Sequence, residues 1–174
     1  MSYLDIVNEY KGDSNVTINE SVDVDSYGKE LSQDIKDEIL KVFPKSFVKS
    51  KFTDNLGKSI TVWFALGKDK SEFSNAIIDN DPCYTIVHIW FNKDNSMTIE
   101  NSSMGFSVRT KPPEGSFYAF DKVKVGWRKS KVKEGDTKKV LSVFKKNFTK
   151  MKDALKKVLS DGNAIDPELI KSKI

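Results

Sequence analysis

The chain has one cysteine and one histidine in 174 residues. Cys83 by itself cannot close an internal disulfide, so no covalent staple is expected. A reducing compartment follows as the expectation: the cytoplasm, or the host cytoplasm if the chain is viral. Cys83 and His88 are two possible zinc ligands in all, where a structural zinc site needs four. A Ser-His-Asp triad would have to use His88, which lies inside YTIVHIWF (84–91). A histidine there reads better as a packed or surface residue than as a base. Cys83 and His88 as a nucleophile–base pair fare no better, since five strand residues span roughly 16 Å.

Arginine is nearly absent too. The 29 basic residues are lysines apart from Arg109 and Arg128. AT-rich coding alone produces such a bias, so the number of lysines argues little and their placement argues more. Long apolar runs are missing, and nothing approaches the 18 or more residues of a membrane span. The start, MSYLDIVNEYKG, has neither a basic lead nor an apolar core, so no secretory signal is expected. LGKS (56–59) resembles the end of a phosphate loop, but Phe52 stands where the first glycine belongs, and a strand pattern follows instead of a helix. Asp79 and Asp81 in IIDNDP could gather a divalent cation with Glu72 or Asp54, which would give an enzyme reading. Asp and Asn are equally ordinary turn residues, and that reading is preferred. No catalytic residue, metal site or cofactor is therefore expected.

The residues that are present are 38% hydrophobic and 31% charged, the balance of a globular domain with a real core. Leu31, Ile35, Ile39, Val42 and Phe43 recur at helical spacing in 29–43, and Pro44 stops the helix. Tyr3, Leu4, Ile6, Val7 and Tyr10 predict a shorter helix before it, and Val16–Ile18 a short strand. From residue 45 the period falls to two. Strands are expected at 45–52, 59–66, 83–91, 96–101, 105–110 and 117–129, with turns at NKDN (92–95) and KPPEG (111–115). Residues 137–159 return to helical spacing, with Asp136 or Thr137 as cap and Gly162 as stop. Asp166 and Pro167 open a last short helix. The expected fold is a single α+β domain. A mainly antiparallel meander of five or six strands (45–129) follows an acidic helical segment (1–44). A long basic amphipathic helix (137–159) covers one face, and a tail (160–174) closes the chain.

Charge is unevenly spread. Residues 1–44 carry net −6 and residues 109–159 net +11, within an overall +4. Packing of the acidic part beside the basic part would cancel this; an anionic partner would use it. The sharpest stretch is KVKVGWRKSKVK (122–133). Read as a strand, it sends Val123, Val125 and Trp127 to the core and Lys122, Lys124 and Arg128 to water. Lys129, Lys131 and Lys133 then fall in an exposed loop. Arg109, Lys111 and Tyr118 lie nearby in sequence. Lysines neutralise phosphates and aromatic faces stack on bases, so these nine residues form the candidate site for nucleic acid, preferably single-stranded. Two arginines cannot read many bases through bidentate contacts, so backbone-dominated, weakly selective binding is expected. Lys138, Lys139, Lys145, Lys146, Lys150, Lys152, Lys156 and Lys157 could add a second phosphate rail, a membrane-binding helix face, or simply a solvated face; the last is preferred. Trp63, Trp90 and their neighbours are read as core. The alternative function is a small protein-interaction module, a regulator or inhibitor that docks on a larger partner.

Overall fold

In the computed structural model the switch of hydrophobic period marks the switch of structure. The structure describes residues 23–55, 57–67, 81–115 and 122–174, the side chain of Lys122 excepted. The predicted helix at 3–10, the strand at 16–18, Tyr118, Glu72 and Asp79 lie outside the described residues. Helix α1 (Val24–Val42) is followed by strands β1 (Phe47–Thr53), β2 (Ser59–Ala65), β3 (Cys83–Phe91), β4 (Ser96–Asn101), β5 (Gly105–Arg109), β6 (Lys122–Gly126) and β7 (Ser130–Lys133). Helices α2 (Thr137–Ser160) and α3 (Pro167–Lys173) complete it. The fold is α+β with an antiparallel sheet and a long C-terminal helix, as the patterning implies.

Helix α1 begins five residues before its predicted start, because the Asp23 carboxylate accepts from the Asp25 N–H and caps it there. Gly28 inside the helix is a packing requirement. A Cβ there would meet the Phe52 ring at 2.4 Å, so glycine lets α1 settle directly onto β1. Asp136 caps α2 through the Lys139 N–H, and Asp166 caps α3 through the Leu169 N–H, both as read from sequence.

Among the described residues the sheet has seven strands rather than five or six, and it branches. Its order is β1-β2-β3-β4-β7, while β5 pairs the start of β3 and carries β6. The branch arises at residues 102–104, which loop out between β4 and β5, so both strands run along the same side of β3. Gly105 returns the chain to the sheet where a Cβ would strike the Val125 carbonyl at 2.5 Å. The basic stretch splits to match: β6 pairs β5, and β7 pairs β4. Lys131 and Lys133 therefore stand on a strand and not in a loop. Val132 is buried opposite Met97, and this apolar anchor draws the segment into the ladder.

Helices α1 and α2 lie on the same side of the sheet and pack on each other. Between them and the strands sit Leu31, Ile35, Ile39 and Phe43 from the first helix, and Phe144, Phe148, Met151 and Leu155 from the second. Phe64 meets Phe148 at 5.0 Å and Phe43 at 5.2 Å between ring centroids. Each such side chain contributes about 1.5–3 kcal/mol by leaving water, so this layer carries most of the stability. Among the described residues no helix is long and apolar enough to cross a membrane.

Candidate nucleic-acid interface

Period-two alternation sends half of each strand away from the helices. On β2 and β3 those residues are Thr61, Trp63, Tyr84, Ile86, His88 and Trp90. All are half-buried except Trp90, which is 37% exposed. Trp63 and Trp90 are thus not the core residues that their apolar character predicts. They belong to a face on which no described helix packs. Apolar composition says that a residue avoids water; it does not say which sheet face receives cover.

Pairing fixes the neighbours on this face. Lys51, Thr61, His88 and Glu100 form one row across β1 to β4. Lys49, Trp63 and Ile86 form the next. Trp90, Thr98 and Lys131 form a row at one end, and Tyr84, Ser107 and Lys124 one at the other. The result is an aromatic column along the middle strands with a lysine rim on each side. Lys49 and Lys51 stand on β1, Lys131 and Lys133 on β7, and Lys124 on β6, all exposed. The β1 and β7 rims are roughly 19 Å apart, four strand spacings.

The column is held in place. His88 and Trp90 stack with centroids 5.6 Å apart, and the Thr61 hydroxyl lies 3.2 Å from His88 Nδ1. Partial burial pushes the His88 pKa down, so the imidazole is neutral at pH 7. Lys49 Nζ lies 5.5 Å from the Trp63 centroid, a cation–π contact. Glu100, the one acidic residue of the described strands, is already engaged. It accepts from Trp90 Nε1 at 2.9 Å and pairs with Lys129 at 2.9 Å. Lys129 and the Trp90 indole hold its carboxyl below the usual range. Lys131 pairs with Asp94 at 2.6 Å and, with Ser96, pulls that carboxyl down to about 2. A notch of about 70 Å³ beside Tyr84, lined in part by Ile86, Ser102, Ser103 and Ser107, adds hydroxyl donors.

The candidate residues named from sequence fall into separate places. Lys124, Lys131 and Lys133 share the face on which no described helix packs. Lys129 and Arg128 lie in the connection between β6 and β7, both exposed. Lys111 is exposed in the turn after β5. Arg109, two residues beyond Ser107 on β5 and therefore on the same face, is only 5% exposed, and its guanidinium lies 5.7 Å from the Tyr84 centroid, so it braces that ring instead of standing in water. Val123, expected in the core, is 38% exposed, because β6 pairs with β5 alone and stands at the sheet's margin. Trp63, His88 and Trp90, with Lys49 and Lys51, were the residues the basic stretch did not announce. Their signal was a pair of polar-interrupted apolar strands, which also fits plain core.

The carboxylate reading of IIDNDP does not survive for Asp81. Its two oxygens accept from the backbone N–H groups of Leu66, Gly67 and Cys83 at 3.0, 2.6 and 2.9 Å. It pins β2 to β3, and burial raises its pKa against those three donors and Arg109. Among the described residues no group of three His, Cys, Asp or Glu could hold a metal. Cys83 is fully buried, and burial pushes its thiol well above the ordinary value, which leaves it unreactive. Comparison with protein-family models, with curated proteins and with solved structures found no match.

Proposed function

We propose that this chain is a non-catalytic nucleic-acid-binding protein that lays a single strand across the sheet face on which no described helix packs. The aromatic column flanked by lysines carries this reading. Bases are stacked by Trp63, Tyr84 and Trp90, and phosphates are met by Lys49, Lys51, Lys124, Lys131 and Lys133. Stacking on aromatic faces tolerates any base, and lysine reads charge without reading sequence. Binding is therefore weakly selective and dominated by the backbone.

The test is fluorescence anisotropy with labelled single- and double-stranded oligonucleotides against wild type, Trp90→Ala and Trp63→Ala. Each lost stack weakens single-strand binding by about 1–3 kcal/mol, or roughly 5- to 150-fold. Both positions are off the main core, so circular dichroism should show folded variants. Wild-type binding that neither variant alters removes the face from the site. Absence of binding at low salt turns the reading to a module that docks on a larger protein.

A further inference from the structure

The second basic feature lies on the other side of the sheet. Between the β6–β7 connection and α2 runs a groove of about 650 Å³. Arg128 comes from the connection, Ser130 from the start of β7, and Lys139, Ser142, Lys146 and Lys150 from the helix. The helical members recur every three or four residues, which places them on one stripe beside the buried one. The groove holds four cationic side chains, and none of the residues that line it is acidic. Among the described residues none of the four has an ion-pair partner within 4.0 Å. The volume suits a ligand of nucleotide size.

A separate observation comes from the groove wall. Trp127 lines it and is 4% exposed, yet among the described residues its indole Nε1 has no hydrogen-bond partner. A buried donor without an acceptor is uncommon and costly. The ring itself is firmly seated, 5.6 Å from Phe144 and 6.2 Å from Phe148. The unsatisfied group thus belongs to a firmly seated ring in the wall of a groove that four cationic side chains also line.

We propose that this groove is an anion site that takes a phosphate group, either of a free nucleotide or of a nucleic-acid strand. Arginine supplies a forked donor, the lysines supply point charges, and the serines supply hydroxyls, the donor set a phosphate requires. An anion offsets the charge of the four cations and brings acceptors to the wall that carries the unpaired indole. The site stands apart from the sheet face of Trp63 and Trp90 and does not depend on it.

The experiment is calorimetric titration of the full chain with pyrophosphate and with ADP at low ionic strength, together with the indole N–H resonances in nitrogen–proton correlation spectra. One site per chain is expected, and the Trp127 signal, identified by its loss in Trp127→Phe, moves on titration. Lys146→Glu/Lys150→Glu, both exposed helix positions, weakens binding at least tenfold, while Trp63→Ala/Trp90→Ala leaves it unchanged. Competition by a short oligonucleotide identifies the strand as the source of the phosphate; no competition identifies the nucleotide. No heat and an unmoved Trp127 resonance at millimolar pyrophosphate overturn the proposal, as does binding that K146E/K150E leaves intact.

Discussion

Salt dependence gives the sheet-face reading its most exacting check. Lys49, Lys51, Lys124 and Lys133 are exposed on that face, and among the described residues none is in an ion pair. Lys131 and Lys129 are held by Asp94 and Glu100 and contribute less. Four phosphates neutralised on a single strand give a slope of log K against log salt of about −2.8. A fourfold rise in salt, from about 50 to about 200 mM, then weakens binding about fifty-fold. Lys49→Glu/Lys51→Glu removes two of the four contacts, so the same salt step should cost only about sevenfold. Both lysines project from an edge strand into water, so the substitution leaves the core untouched. Anisotropy titrations with a labelled oligonucleotide at several salt concentrations measure both slopes. A wild-type slope shallower than about −1, or one that K49E/K51E does not change, refutes a strand path that reaches β1.

Two further outcomes follow from buried and half-buried groups. Asp81→Ala should destabilise the fold by about 2–4 kcal/mol in urea unfolding, because it orphans the buried N–H groups of Gly67 and Cys83, while Leu66 keeps the Cys83 carbonyl; a loss under about 1 kcal/mol would show that Asp81 does not pin β2 to β3. His88 has a folded pKa below its unfolded value of 6.5, so the unfolded chain binds the proton first and stability falls as pH drops below that value. Melting temperatures from about pH 7.5 to about pH 5 should fall more steeply for wild type than for His88→Gln, and parallel curves would mean that the imidazole is not desolvated.

Much of the fold could be read from local chemistry. Strands β3 and β4 match their sequence patterns residue for residue, and β2 within one, because each alternates and ends at turn residues. The caps at Asp136 and Asp166 were legible because a short carboxylate side chain ahead of a helical stripe has a specific donor to satisfy. The early start of α1 was not, since the apolar stripe begins only at Leu31 and the Asp23 cap lies well ahead of it.

The candidate site was legible in part. The lysines of β6 and β7 stood out in KVKVGWRKSKVK, but the stretch reads as one strand and a loop. Its break into two strands depends on the residues 102–104 that branch the neighbouring pair. Sequence by itself determined which residues alternate, which helices have an apolar stripe, and that no disulfide could form within the chain. Only the tertiary structure decided which sheet face the helices cover. That choice made Phe64 core and left Trp63 and Trp90 beside lysines at the surface. It also set Arg128 and Trp127 against Lys146 and Lys150, far away in sequence. Period two assigns residues to one face or the other with equal ease, and only packing against a distant helix settles which face meets water.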